Sequence, residues 1–213
     1  MKIRTAIFDM DGTLVDSMPY WAQTMLKILE EVHVQYPPNI INIITPLGDI
    51  GTAQYFKNVL KVPLSVDEIL SKMDLYVLPK YQNEIQLKDG VKEYLLWLKE
   101  NQCSLNVLTA SPHKRVDPCL ERNGVLDLFD HVFSCDDFGM TKSNPQIYIA
   151  AVNRIGSKAS ETLFFDDNLT AVKTAKQAGL RTVGVYDDSS KDDRDRFKEA
   201  ADLYVESLDM LIR

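Results

Sequence analysis

The sequence predicts an α/β protein, in which a Rossmann-like parallel sheet forms the core and an α-helical domain is inserted after the first strand. Three observations favour this class. A short apolar segment at 3–8 is followed, from about residue 92 onward, by similar segments that alternate with helical patterns. Such alternation is typical of βαβ units with a parallel sheet covered by helices. The stretch 18–86 interrupts the alternation, because its apolar residues have helical spacing and no strand pattern.

The expected strands are short and rich in β-branched and aromatic residues, which favour extended backbone. The first strand of the sheet is expected at 3–8. The others are expected at 104–109, 131–134, 162–165 and 181–186, with 202–205 as a sixth strand at an edge.

Two helices of the core have clear start and stop signals. Asn144 is expected to be the N-cap of the first helix, with Pro145 at its first position and Gly156 just past its end. The second helix, "NLTAVKTAKQAGL", follows the strand at 162–165 and is expected to stop at Gly179. Both helices therefore have bounds that the structure can test.

The inserted segment has helical signals of its own. Apolar residues recur at helical spacing between Trp21 and Val32, and "SVDE" at 65–68 is a capping box that starts a later helix. Between them, Gly48 and Gly51 predict a loop within 44–56.

The expected return linker is "LKDG" at 87–90, where Gly90 allows the chain to turn. The predicted domains are therefore a core made of 1–15 and 90–213 and a helical domain made of 16–89.

Composition and charge limit the functional classes. Of the 213 residues 45% are apolar, enough for a packed core, and the net charge of -7 argues against a nucleic-acid partner. The sequence contains no run of 18 apolar residues and no signal-peptide pattern, so we expect a cytoplasmic protein without a membrane partner. Cys103, Cys119 and Cys135 are widely spaced and form no CxxC pair, so reduced thiols are expected. The sequence indicates no oligomeric state.

The stretch "AIFDMDGTLVDS" at 6–17 places two carboxylates at the end of the first strand. Asp9 and Asp11 are two residues apart, so in an extended chain their side chains point to the same side. The two charges would repel each other unless a cation or a shared proton lies between them, and Mg²⁺ prefers such oxygen ligands. Gly12 allows the backbone to bend sharply at this point. The alternative is a strand-end turn with two solvated carboxylates.

A second pair of acids, Asp166 and Asp167, follows the strand expected at 162–165. In open α/β sheets, ligands bind outside the carboxyl ends of the strands. Two strands that each end in a pair of acids therefore favour a metal site at that edge. The alternative is a cap role at the start of the next helix, for which Asp167 and Asn168 are the candidates.

Groups suited to an anion follow another strand. Thr109, Ser111 and the backbone N–H group of Ala110 stand at the start of a helix and could bind phosphate oxygens. Lys142 precedes the helix that begins at Pro145, where it could neutralise phosphate charge as a point cation. The alternative for Lys142 is a solvated surface lysine.

These motifs resemble those of the haloacid dehalogenase (HAD) superfamily, in its phosphatase branch. "DMDGTLVDS" looks like the first motif of the family, DxDGT(L/V)xDS, and "LTAS" looks like the second, a hydrophobic strand that ends in Thr or Ser. "KSNPQIY" is similar to the third motif, KPxPxxY, with Ser143 in place of the usual proline. "FFDDN" resembles the fourth, a paired-acid motif. The long helical segment stands where this family inserts its α-helical cap.

The resemblance implies a role for each group. Asp9 would be the nucleophile that forms an aspartyl phosphate, and Asp11 would be the general acid and then the general base. Mg²⁺ would be held by Asp9, the carbonyl oxygen of Asp11 and Asp166, with Asp167 close by or directly bound. Thr109 and Lys142 would complete the catalytic set. The groups expected to contact the phosphate or the rest of the substrate are Gly12, Ala110, Ser111 and, in the cap, Gly48.

The resemblance leaves three functions open. It favours a Mg²⁺-dependent phosphatase of a small phosphorylated metabolite, and the segment 44–56 of the cap, which contains no Arg or Lys, favours a neutral sugar or polyol moiety. The first alternative is a β-phosphoglucomutase-type mutase, but that branch carries a cap histidine where this chain has Trp21. The second alternative is a catalytically silent binding protein on the same fold. The intact set of acids and Lys142 argues against it.

Overall fold

The structure, a computed structural model, describes residues 4–212, without the side chain of Pro46. Ile3, the first residue of a predicted strand, lies outside the described residues, as do residues 1, 2 and 213 of the predicted core. Contacts within the chain define two units, Met1–Asp16 with Gln86–Arg213 and Ser17–Ile85. The second unit ends before the predicted boundary at residue 89, because the return linker belongs to the first unit. Its role as a cap stays a prediction.

The first unit contains a sheet of six parallel strands in the order β3-β2-β1-β4-β5-β6. The strands are β1 (Thr5–Phe8), β2 (Ser104–Thr109), β3 (His131–Ser134), β4 (Thr162–Asp166), β5 (Arg181–Val185) and β6 (Leu203–Val205). This order confirms the predicted α/β fold and the edge position of the last strand. Phe8 at the end of β1 lies opposite Val107 of β2 and Phe165 of β4. The carboxyl ends of β2, β1 and β4 are therefore neighbours.

The second unit is helical. Its described residues contain no strand and form α1 (Met18–Glu31), α2 (Ile40–Ile44), α3 (Gly48–Asn58) and α4 (Val66–Asn83). The predicted capping box starts α4, because the hydroxyl of Ser65 accepts from the Glu68 N–H group and the Glu68 carboxylate accepts from the Ser65 N–H group. In α1, Trp21 donates from Nε1 to the hydroxyl of Tyr81 at 2.8 Å, which fixes the indole within this unit.

The predicted loop within 44–56 is wrong. A short 3-10 helix over Thr45–Leu47 is followed directly by α3. Gly48 adopts a φ of 65° at this junction, a conformation that glycine reaches readily. The glycine therefore allows a sharp change of direction at one residue, and no loop follows it. Gly51 lies inside the first turn of α3, where a Cβ atom would lie 2.9 Å from Cβ of Leu47, so glycine avoids a contact that alanine would make. The helix is held by its buried face, on which Phe56 is fully buried.

Helices α5 to α9 of the first unit separate its strands. They are α5 (Val91–Glu100), α6 (His113–Arg122), α7 (Pro145–Ile155), α8 (Leu169–Gln177) and α9 (Arg194–Ala200). The predicted bounds of α7 are confirmed, because the Asn144 side chain accepts from the Gln146 N–H group and Gly156 follows the last turn with a φ of 75°. Buried residues of α7 pack against β1, β2 and β4 and form the core beneath the carboxyl edge.

Two expectations from composition concern the described part of the chain. None of the helices within residues 4–212 has both the length and the apolar character that crossing a bilayer requires. Cys103, Cys119 and Cys135 are buried and take part in no disulfide, and burial raises the pKa of each thiol to about 11. These thiols are therefore protonated and unreactive at neutral pH.

Candidate active site

Asp9 occupies the carboxyl end of the central strand. Its N–H group donates to the carbonyl oxygen of Phe165 at 2.8 Å, which extends the β1–β4 pairing by one residue and fixes the backbone of Asp9. Thr109 ends β2 on one side and Asp166 ends β4 on the other. Three of the predicted motifs therefore meet at one edge because their strands are neighbours in the sheet.

Lys142 joins two of these motifs by ion pairs. Its Nζ atom lies 2.6 Å from Oδ1 of Asp9 and 2.8 Å from Oδ2 of Asp166. The three side chains are 13%, 6% and 0% exposed, so the interaction is largely desolvated. The alternative of a solvated surface lysine is therefore wrong.

Tyr148 fixes the backbone of Lys142 from inside the core. This tyrosine is fully buried, and its hydroxyl lies 2.8 Å from the carbonyl oxygen of Lys142 and 3.1 Å from that of Ala171. The last residue of the motif "KSNPQIY" thus positions the first. Helix α7 brings the two together, since Lys142 precedes it and Tyr148 lies in its first turns.

The site brings three buried carboxyl groups and one ammonium group together. Burial raises the pKa of Asp9 to about 7, against the lowering effect of Lys142, and burial also raises the pKa of Asp166 and of Asp167. Burial disfavours the charge of Lys142 as well, but Asp166 and Asp9 outweigh this and raise its pKa well above the usual value. The three buried carboxyl groups therefore hold their protons more tightly than usual, and a further cation would favour their charged form.

The three carboxylates fit a divalent cation. One oxygen from each of Asp9, Asp166 and Asp167 lies within 4.8 Å of the others, and all three residues are buried. Mg²⁺ binds through oxygen ligands and typically uses one or two carboxylates together with substrate phosphate oxygens. The donor set matches this ion, whose charge would stabilise the ionised form of the three carboxyl groups.

Asp166 and Asp167 differ in their hydrogen bonds. Asp166 has both carboxylate oxygens engaged, one by Lys142 and one by the N–H group of Asn168 at 2.7 Å. Asp167 uses Oδ1 to accept from the hydroxyl of Thr13 at 3.0 Å, and Thr13 accepts in return from the Asp167 N–H group. Asp167 therefore presents Oδ2 as the less engaged oxygen of the pair.

Of the two predicted candidates for the N-cap of α8, Asn168 is confirmed and Asp167 is wrong. Asn168 has that position, because its side chain accepts from the N–H groups of Thr170 and Ala171. The sequence alone does not distinguish these two candidates, and only the structure shows which of them turns toward the helix.

Gly12 approaches Asp167 closely. The glycine has a φ of +80°, and a Cβ atom placed on it would lie 2.7 Å from Cγ of Asp167 and closer still to Oδ2. Both the backbone conformation and the contact therefore require glycine at this position. The turn after β1 packs directly against one of the candidate metal ligands.

Asp11 lies beside the end of β2. The hydroxyl of Ser111 donates to Oδ2 of Asp11 at 2.6 Å, and the Ser111 N–H group donates to the hydroxyl of Thr109 at 3.1 Å. The first and second motifs are therefore in contact through side chains. Ala110 is exposed at the same turn. Gly48 lies in the other unit, so its role in substrate binding stays a prediction.

Sequence reasoning missed three residues that support the site. Thr13 lies within the first motif, but the sequence alone does not indicate its hydrogen bonds with Asp167. Lys88 donates to the carbonyl oxygen of Gly12 at 2.6 Å and pairs with Asp187 at 2.9 Å. Nothing in the local sequence identifies this pair, because Lys88 lies in the return linker and Asp187 follows β5.

Several proteins are similar to this chain. Validoxylamine A 7'-phosphate phosphatase from Streptomyces hygroscopicus is 27% identical over 184 residues, which cover 85% of each protein. Phosphoglycolate phosphatase from Pseudomonas putida is 25% identical over 85% of this chain and 69% of its own length. The crystal structure of CbbY from Rhodobacter sphaeroides in complex with phosphate superposes with a TM-score of 0.83 at 21% identity, over 98% of this chain and 96% of that one. The last comparison supports the fold alone.

The family model described as haloacid dehalogenase-like hydrolase matches residues 3–179. The match extends from the first strand to the end of α8 and so includes all four motifs and the residues that meet at the carboxyl edge of the sheet. The chain belongs to the haloacid dehalogenase-like hydrolase family.

Proposed function

We propose that the protein is a Mg²⁺-dependent phosphatase that hydrolyses a small phosphomonoester, with a sugar phosphate or a related metabolite phosphate as substrate. One observation carries the proposal: the buried carboxylate of Asp9 lies 2.6 Å from the Lys142 ammonium at the end of the central strand. A carboxylate in this position can attack phosphorus while the adjacent cation offsets the charge of the transferring group. The two similar proteins that are named as phosphatases support the same reaction class.

In the first half of the proposed reaction, a carboxylate oxygen of Asp9 attacks phosphorus and forms an aspartyl phosphate. The bond from phosphorus to the leaving oxygen breaks, and Asp11 gives its proton to that oxygen. Ser111 supports this role, because its hydroxyl holds one oxygen of Asp11 at 2.6 Å. Lys142, Thr109 and the N–H group of Ala110 would offset the negative charge of the phosphoryl oxygens.

In the second half, the Asp11 carboxylate removes a proton from a water molecule, whose oxygen attacks phosphorus. The bond between phosphorus and Asp9 breaks, which releases inorganic phosphate and restores both carboxyl groups to their starting states. One residue thus acts as acid and then as base, as the reversal of roles between the two halves requires.

The proposed metal ligands are Asp9, Asp167 and the carbonyl oxygen of Asp11, with Asp166 beside them. When bound, Mg²⁺ would stabilise negative charge on the phosphoryl oxygens as a Lewis acid. The hydrogen bonds of the two neighbouring acids favour Asp167 over Asp166 as the direct ligand.

The substrate class is inferred from the segment 44–56, which is expected to select the substrate. It contains no Arg or Lys, so a second anionic group on the substrate would find no partner there. Of its polar side chains, Asp49 and Gln54 suit hydroxyl groups instead, whereas Thr52 is buried and its hydroxyl donates to the carbonyl oxygen of Ile44 at 3.2 Å. A sugar or polyol phosphate is therefore favoured over a carboxylated substrate such as phosphoglycolate.

The proposed function predicts metal-dependent phosphate release. Purified protein with Mg²⁺ should hydrolyse p-nitrophenyl phosphate and several members of a panel of sugar and polyol phosphates, and excess EDTA should remove the activity. The Asp9→Asn protein, purified in parallel, controls for contaminating phosphatases. If no member of the panel is hydrolysed, the catalytically silent binding protein becomes the better account.

A second prediction separates a phosphatase from a mutase. A mutase must keep its aspartyl phosphate from water until the sugar has turned around or exchanged, and in the mutase branch a cap histidine helps couple closure to acid–base chemistry. Trp21 stands at that place here and is held by Tyr81. We expect phosphate release from β-glucose 1-phosphate and no glucose 6-phosphate, even with a bisphosphate primer, in a coupled assay that follows both products. Strong formation of glucose 6-phosphate with little free phosphate would identify a mutase instead.

A third prediction concerns the paired acids. Asp167→Asn keeps the oxygen that accepts from Thr13 but removes the negative charge, so the Mg²⁺ concentration for half-maximal activity should rise by about tenfold or more. Asp166→Asn should mainly lower kcat, because it weakens the hold on Lys142. Mg²⁺ titrations of both variants, with calorimetric Mg²⁺ binding in the absence of substrate, compare the two effects. The opposite order would make Asp166 the direct ligand.

A further inference from the structure

We propose that Lys88 is a positioning residue, which holds the turn at Asp11–Thr13 in place through the carbonyl oxygen of Gly12. The inference rests on the proposed phosphatase function, since this turn carries the proposed acid–base residue Asp11. Lys88 belongs to the return linker, outside all four motifs of the family resemblance.

The ammonium group of Lys88 has a complete set of acceptors. Its Nζ atom lies 2.6 Å from the carbonyl oxygen of Gly12, 2.6 Å from that of Tyr186 and 2.9 Å from Oδ2 of Asp187. An ammonium has three N–H donors, so each donor has one acceptor. The side chains of Lys88 and Asp187 are 19% and 5% exposed, which places these charged hydrogen bonds largely out of water.

Both ends of this connection are fixed by other hydrogen bonds. The backbone N–H group of Lys88 donates to the carbonyl oxygen of Leu14 at 2.9 Å. On the other side, Oδ1 of Asp187 accepts from the N–H group and the hydroxyl of Ser189, at 2.9 and 2.6 Å. The ammonium therefore connects the turn after β1 to the end of β5, and the residues on both sides of this connection are held by other hydrogen bonds.

The turn that Lys88 holds lies against the candidate metal site. Gly12 approaches the carboxylate of Asp167 so closely that a Cβ atom would overlap it, and the adjacent Thr13 exchanges two hydrogen bonds with Asp167. On the other side of Gly12, Asp11 meets Ser111. A shift of the Gly12 carbonyl would therefore move both the acid–base residue and one metal ligand.

An ordinary structural ion pair between Lys88 and Asp187 is the competing explanation, and it predicts a different pattern. If the ion pair matters only for folding, losing Lys88 should lower the midpoint of thermal unfolding and leave kcat of the folded protein unchanged. Positioning requires an effect on the reaction and on metal binding in protein that is fully folded.

The test uses Lys88→Met, which keeps the apolar stem and removes the ammonium. We expect kcat for p-nitrophenyl phosphate to fall by about 10- to 100-fold with little change in KM, and Mg²⁺ affinity measured calorimetrically to fall by about tenfold. Lys88→Gln, which can keep one N–H donor for the Gly12 carbonyl, should recover part of kcat. It also replaces Lys88→Met should that variant not fold. Lys99→Met is the matched control, since it breaks the exposed ion pair of Lys99 with Asp130 and should leave both quantities unchanged.

The outcomes separate the two hypotheses. Normal kcat and normal Mg²⁺ affinity in folded Lys88→Met protein would overturn the positioning role, even if the protein unfolds at a lower temperature. An unsubstituted protein that hydrolyses no phosphomonoester would overturn the proposed function instead. In that case weaker Mg²⁺ binding by Lys88→Met still supports the positioning role, because this measurement needs no substrate.

Discussion

Asp9→Asn should abolish phosphate release and leave the fold intact. The amide has nearly the shape of the carboxylate, but it is a poor nucleophile and cannot form the acyl phosphate. Removal of an enzyme nucleophile lowers kcat by roughly 10⁴-fold or more, so we expect no detectable turnover above the uncatalysed rate. Phosphate release under saturating Mg²⁺ measures the loss of activity. Circular dichroism and thermal unfolding measure whether the fold is intact.

A matched substitution and a trapping experiment strengthen the result for Asp9. Asp127 is exposed in the described structure and lies in a short 3-10 helix after α6, so Asp127→Asn should retain normal activity. Acid quenching of the unsubstituted enzyme during turnover should leave phosphate on the peptide that contains Asp9, detectable by mass spectrometry. Near-normal rates in Asp9→Asn would refute an aspartyl-phosphate mechanism for this protein.

Asp11→Asn should slow turnover by about 10²–10⁴-fold, the usual contribution of a positioned general acid and base. The amide oxygen can still accept from the Ser111 hydroxyl, so the side chain should keep its place while losing the ability to transfer a proton. Loss of rate then reports proton transfer and not a rearranged site.

The choice of leaving group makes the Asp11 prediction sharper. p-Nitrophenolate leaves without protonation, so the first half of the reaction should remain fast in Asp11→Asn while the attack of water becomes slow. Rapid mixing should therefore show a burst of about one p-nitrophenolate per enzyme, followed by slow steady turnover. A slow linear release without a burst would instead place the main contribution of Asp11 in the first half.

The sequence was sufficient for the strands and for most of the side chains that meet at the carboxyl edge, because both depend on local signals. Alternating apolar segments predicted the strands, and the N-cap and stop residues of α7 were visible in "NPQIYIAAVNRIG". Acids directly after two strands predicted a site at the carboxyl edge. The order of the strands, which makes Asp9, Thr109 and Asp166 neighbours, is not a local property and came only from the family resemblance.

Other features depended on contacts that no local pattern records. The segment 44–56 was expected to be a loop because it contains two glycines, yet Gly48 only opens α3 and Gly51 is tolerated within it. The roles of Asp167 and Asn168 were ambiguous because each can cap a helix, and the hydroxyl of Thr13 distinguishes them. Lys88 contacts Gly12 across 76 positions of sequence and Tyr186 across 98.

The chain leaves the first unit and returns to it at a single place. The N–H group of Asp16 donates to the carbonyl oxygen of Gln86 at 3.0 Å, and Val15 pairs with Leu87 in an antiparallel bridge. The residues that flank Ser17–Ile85 are thus adjacent, as they are in tolerated domain insertions. In evolutionary terms the helical unit resembles a cassette, because a segment that begins and ends at adjacent points can be exchanged without rerouting the rest of the chain. Recombination at this junction leaves the strands that carry Asp9, Thr109 and Asp166 with every hydrogen bond of their sheet.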